Sequence, residues 1–123
     1  MKVISAVAVL AAIVLSPAYA DCTAPVAPQN IPDGNTATKQ QLLAAQKQVN
    51  AYNIATNAYL DCLSKEHAAA LAADGPKVTD DQKAKLDQIE TRKHNAAVDQ
   101  LTAVAERFNE QVRIFLAKNN NKN

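Results

Sequence analysis

The stretch AADGPKVTDDQ, residues 72–82, decides how the rest of the chain is read. It contains Gly75 and Pro76, and neither glycine nor proline occurs from Asn35 to Asp74 or from Lys77 to the end. Both flanks are rich in Ala, Gln, Lys, Leu and Glu, side chains that lose little freedom on entering a helix. Gly75 suits the left-handed residue that closes a helix, and Pro76 bars continuation. Thr79-Asp80-Asp81-Gln82 then fits a capping box, with two acids at the positive end of the next helix dipole. The pattern predicts a helix over about 37–73 with Thr36 or Thr38 as N-cap, a turn at 74–78, and a second helix over about 79–118. Residues 119–123, NNNKN, read as a frayed polar tail.

Apolar spacing agrees. Leu42, Ala45, Val49, Tyr52, Thr56, Tyr59 and Leu63 recur at alternating steps of three and four. Leu86, Ile89, Ala97, Leu101, Val104, Phe108, Val112 and Phe115 follow the same rule, with a polar gap at Lys93. One narrow stripe on an otherwise polar helix is the pattern of a coiled-coil-like seam. No alternation of period two persists, so no sheet is expected. The fold class is all-α: an antiparallel two-helix hairpin forming a single domain over 21–118.

Residues 1–20, MKVISAVAVLAAIVLSPAYA, have the three parts of a secretory signal: Lys2, the apolar run Val3–Leu15, and Ala18-Tyr19-Ala20 as an A-x-A cleavage site. A membrane anchor is the competing reading, but the run falls short of the ~20 apolar residues that cross a bilayer. Acylation of Cys22 as a lipoprotein conflicts with Asp21 and Tyr19, where that route needs a small and an apolar residue. Cleavage after Ala20 removes Lys2 and leaves equal numbers of basic and acidic residues. No basic stripe advertises nucleic acid or a membrane surface. The expected product is a periplasmic or secreted protein, not inserted in the membrane after cleavage.

The segment DCTAPVAPQNIPDG, residues 21–34, can be neither helix nor central strand, because Pro25, Pro28 and Pro32 interrupt it. It nonetheless carries one of the two cysteines. From Asn35 to Cys62 a helix covers about 40 Å, and from Cys22 to Asn35 an extended polyproline-like chain also covers about 40 Å. An arm over 21–35 that reverses at Ile31-Pro32-Asp33-Gly34 and runs back along the first helix would deliver Cys22 beside Cys62. Closing that loop would stabilise the fold by roughly 4 kcal/mol in the chain-entropy account. An intermolecular bridge and a redox pair are the alternatives; the second conflicts with a separation of forty positions and no C-x-x-C.

The strings CTAPVAPQNIPDGNTAT at 22–38, AAQKQVNAY at 44–52 and AYLDCL at 58–63 resemble a group of small secreted helical proteins of proteobacteria. That group has an N-terminal Cys/Pro-rich I-P-D-G segment and a second Cys on the following helix. The resemblance spans the signal and about the first half of the remaining chain. It implies export and a Cys22–Cys62 bond, and supplies no activity.

Signals for chemistry are sparse. His67 and His94 fall on different helices, about 14 Å apart along the axis of the expected hairpin, too far to share a metal. Ser64 lacks a nucleophile-elbow context, and Asp80-Asp81 reads as a helix-dipole pair rather than an acid/base couple. Two glycines cannot build a phosphate-cradling loop. No catalytic residue, cofactor or metal ligand is expected, and no enzyme. Tyr52 and Tyr59 read as seam packing under the arm, or as aromatic anchors for a partner. Phe108, Val112 and Phe115 pair with Leu42, Leu43 and Ile31 at the open end, where Ile114 and Leu116 widen the apolar surface into a candidate patch. The candidate interaction surface is therefore Tyr52, Tyr59, Phe108 and Phe115. The expected partner is a second copy or an envelope protein. A holdase-like chaperone that exposes its stripes on partial opening is the alternative.

Overall fold

The computed structural model describes residues 21–73 and 75–121. The expected signal over 1–20, Asp74 and the last two residues lie outside them. An extended arm leads into α1, Lys39–Ala73. A short 3-10 turn, Gly75–Lys77, joins it to α2, Asp80–Asn120. The two helices pack antiparallel, with no strand among the described residues. At 1.5 Å per residue they are about 52 and 61 Å long.

Local chemistry explains each boundary. Gly75 has φ of 51°, the left-handed conformation the breaker was read to need. Thr79 caps α2: its Oγ1 accepts from the Gln82 N–H at 3.2 Å, and Gln82 Oε1 accepts from the Thr79 N–H at 2.9 Å. The same reciprocal box opens α1. Thr38 Oγ1 accepts from the Gln41 N–H at 3.2 Å, and Gln41 Oε1 accepts from the Thr38 N–H at 2.8 Å. This second box settles the choice between Thr36 and Thr38 and moves the start of α1 two residues beyond the expected one. Thr36 instead belongs to a turn in which Asp33 accepts the N–H groups of Asn35, Thr36 and Ala37. At the other end α2 continues through Asn120 rather than fraying after Lys118. Asn119 Nδ2 donates to Phe115 O, and the Asn121 N–H donates to Ala117 O, so amide side chains and backbone cap the last turn.

The arm forms a third layer. Cys22 and Cys62 are joined, with Cα atoms 5.8 Å apart. From Lys39 to Cys62 α1 rises about 35 Å, which an extended arm from Cys22 to Asp33 matches at about 34 Å. Both spans are shorter than the sequence suggested, because the reversal at 33–38 takes residues from each. Ala27 joins the core with Leu42, Ala45, Val49, Tyr52, Val104 and Phe108, and Ile31 and Ala37 close its edge. Gly34 is buried against α2: its N–H donates to Gln111 Oε1 at 2.8 Å. A Cβ there would collide with the Gln111 carbonyl and stand 2.9 Å from Ile114 Cβ and Phe115 N. So the arm touches both helices, and Gly34 is required by close approach rather than by its dihedrals.

Thr56 sits in the seam at 0 % exposure, and its Oγ1 has no hydrogen-bond partner among the described residues. A buried hydroxyl of this kind costs about 1–3 kcal/mol. Thr56→Val keeps the shape, so it is expected to stabilise the oxidised protein by about 1 kcal/mol, read as a higher urea midpoint at unchanged slope. Gly34→Ala is expected to destabilise by ~2–3 kcal/mol through overpacking against α2; an unchanged midpoint would show that the arm lifts away from α2 at no cost.

Candidate interaction surface

The seam divides the hairpin into a flank under the arm and a flank that is open. On the covered flank, Pro25, Val26 and Pro28 lie over Gln48, Ala51, Tyr52 and Ala55 of α1. Glu66 closes the end of this layer. Its Oε2 accepts from the Cys22 backbone N–H at 3.2 Å, and its Oε1 pairs with Lys93 Nζ of α2 at 3.2 Å. One carboxylate therefore ties arm, α1 and α2 together beside the disulfide. The Cys22 N–H, then Lys93, hold its pKa below the ordinary carboxylate value. At the opposite end, Lys118 Nζ donates to Asn35 O. The arm is fixed at both ends by charged groups.

The histidines do not form a site. His67 Nε2 meets Asp87 Oδ1 of α2 at 2.7 Å, a bridge across the seam. Glu66, its neighbour in sequence, turns instead toward Cys22 and Lys93. With His67 level with Asp87, His94 stands seven residues further along α2, about 10 Å along the axis. That is nearer than the sequence suggested but still out of reach of a shared ion. Among the described residues no group of three or more His, Cys, Asp or Glu is arranged to hold a metal. The cleft between Leu63, Glu66, His67, Leu86 and Lys93 measures about 40 Å³, far below the ~300–1,000 Å³ of a small-molecule pocket.

The four residues proposed as an interaction surface separate on folding. Tyr52 is 5 % exposed and Phe108 9 %, both in the core; Tyr59 and Phe115 are half-buried. For Tyr52 the packing reading holds, since the arm lies on it. Phe108 and Tyr52 are thus unavailable to a partner while the hairpin is closed, because each is needed to fill the seam. The open flank is built from other residues. Leu42, Leu43, Phe108, Val112, Phe115 and Leu116 line a trough of about 590 Å³, open to solvent, between the start of α1 and the end of α2. Leu43 is 49 % exposed and Leu116 52 %. Ile114 and Leu116, both outside the seam stripe in sequence, go to opposite flanks: Ile114 packs beside Gly34 under the arm, and Leu116 enters the trough.

None of the described helices is long and apolar enough to cross a membrane. The Cys22–Cys62 disulfide fits an oxidising setting.

Glu66 makes stability depend on pH in a stated direction. Its folded pKa lies below its unfolded value of about 4.3. It therefore contributes stability that is fully present above that value and is lost as pH falls through the folded pKa. Glu66→Gln is expected to destabilise by on the order of 0.5–1 kcal/mol at pH 7, a pair this near the surface being worth no more. At pH 3 the difference from the parent protein is expected to shrink toward zero in urea titrations. An equal difference at both pH values would show that the carboxylate charge plays no part in holding the arm.

No family model, curated protein or solved structure matches the chain.

Proposed function

We propose that this is a non-enzymatic protein of the periplasm or the exterior, exported by residues 1–20, that works by protein–protein contact, with a second copy or with an envelope protein. The apolar trough between Leu43 and Leu116 carries the reading. A chain that caps both helix starts and staples a third layer onto its seam still leaves large aliphatic side chains in water at one end. Exposed apolar surface rimmed by polar residues is where proteins bind one another. The disulfide supports export, because such bonds persist in oxidising compartments. The resemblance to small secreted proteobacterial proteins points the same way.

A holdase-like role is the second reading, and one observation favours it. Tyr52 lies directly under the arm, whose end is tied by Glu66, a group that loses its charge in acid. With the Cys22–Cys62 bond intact, loss of the Glu66 charge in acid would loosen the arm over Tyr52 and partly uncover the tyrosine stripe. This reading requires that dye-accessible apolar surface rise as pH falls, with helicity retained.

A photo-crosslinking residue at position 116 in the exported protein tests the first reading in the cell. A discrete protein adduct is expected from position 116 and not from the charged outer position Arg107. If both positions give the same pattern, or neither gives any, the trough is not a contact surface.

A further inference from the structure

The trough is one end of a longer face. On α1 the positions Leu43, Gln46, Asn50, Asn53 and Asn57 follow one another by three- and four-residue steps, with Ile54 beside Asn53 and four residues from Asn50 at the edge of the same face; on α2 Val98, Thr102, Ala105, Asn109, Val112 and Leu116 step by three and four as well. Spacing of this kind puts each set on one side of its helix. The trough joins the two sets, because Leu43 and Gln46 line it together with Asn109, Val112 and Leu116. Four of the most exposed large aliphatic residues lie on it: Leu43 at 49 %, Ile54 at 70 %, Val98 at 37 % and Leu116 at 52 %. Between them stand amides, a threonine and an alanine. On α1 its charged neighbours lie at the border: Lys39 at one end, Lys47 at the edge, and Asp61, paired with Lys65, at the other end. On α2 Glu106 stands at its rim, and the outer face beyond carries Arg107, Glu110 and Arg113; the flank across the seam is covered by the arm.

We propose that this face docks on the same face of a second copy, with the two-fold axis parallel to the helices, giving a four-helix bundle with both arms outside. The proposal rests on the reading of the trough as a contact surface and names its occupant. Three observations select a copy of this chain rather than a foreign protein. The first is self-complementarity. A two-fold interface brings a patch against itself, and aliphatic and amide side chains can meet their own image, an amide being both donor and acceptor. A charged face would repel its image, and this one keeps its charges at the border.

The second observation is register. His67 lies level with Asp87. Counting back along α1 and forward along α2, Ile54 is level with residue 100, Leu43 with residue 111 and Lys47 with residue 107. Rotation about an axis parallel to the helices brings α1 of one copy over α2 of the other without changing these levels. Ile54 then meets Val98 of the second copy, and Leu43 meets Val112, each within about one helical turn. Lys47 reaches Glu106 at the rim. The two apolar pairs and the charge pair fall into place together. The third is area. A face two helices wide, about 20 Å, and extending from Lys39 to Asn57, about 27 Å, offers about 540 Å² per copy. Doubled, that is on the order of 1,100 Å², above the ~1,000 Å² a specific interface needs.

Sedimentation equilibrium of the oxidised, exported protein over 1–100 µM is the test, with far-UV circular dichroism on every variant. A dimer is expected. Leu43→Glu and Ile54→Glu are expected to raise its Kd at least tenfold with helicity unchanged, both sites being exposed. Val26→Glu, on the arm side, is expected to leave it within twofold. Lys47→Glu is expected to weaken it a few-fold, and adding Glu106→Lys to restore it, which distinguishes this symmetry from its alternatives. A monomer throughout the range overturns the proposal, and so does a dimer that Leu43→Glu and Ile54→Glu leave intact or whose charge swap fails to restore binding. A monomer that still gives a foreign adduct from position 116 in cells would overturn the second copy as occupant while leaving the contact surface standing.

Discussion

Two packed helices can bury one stripe each, and both flanks of their seam then stay wet. The bond between Cys22 and Cys62 decides which flank is covered. It holds an arm that has no hydrogen-bond ladder of its own, and whose side chains offer too little apolar area to outweigh the entropy of ordering it. Once tethered, the arm puts Ala27 and Ile31 on the seam and completes the packing around Tyr52. Everything asymmetric about the molecule follows from that choice of flank.

The arm's secondary contacts are charged or polar and sit at its two ends. Glu66 accepts from the Cys22 N–H and pairs with Lys93; Gln111 accepts from the Gly34 N–H, and Lys118 donates to Asn35 O. Contacts of this kind position more than they stabilise, since exposed pairs contribute little. Their value is that they fix the arm against both helices at once. The Thr56 hydroxyl in the seam, without a partner among the described residues, is a cost that the fold bears, and nothing in the structure explains it.

The flank left open is of a different character from the rest of the surface. Mixed charges cover the outer face of α2, whereas amides and aliphatics occupy the side across the seam from the arm. The chemistry suited to meeting another protein thus lies where the arm cannot reach.

Local chemistry was readable because it depends on neighbours in the chain. The breaker at Gly75-Pro76, the Thr79 capping box and the three-four spacing of the seam stripes involve residues close in sequence, so composition and spacing specify the two helices. The intramolecular cysteine pairing was readable from there being two cysteines and from matching lengths, because the helix and an extended chain have fixed rises per residue. What the tertiary structure decided is what depends on distant residues. Thr38 prevailed over Thr36 as the cap because Asp33 takes Thr36 into the arm's turn, and Gly34 is glycine because α2 passes there, seventy-seven residues on. Asp87, not Glu66, meets His67, since helix register and not sequence proximity brings side chains together. Tyr52 and Phe108 carry the aromatic surface a binder would use, yet the arm and the seam bury them. Leu43, Ile54, Val98 and Leu116 stay exposed because the arm is tethered to the opposite flank, and only the three-dimensional path of that tether says which flank is left open.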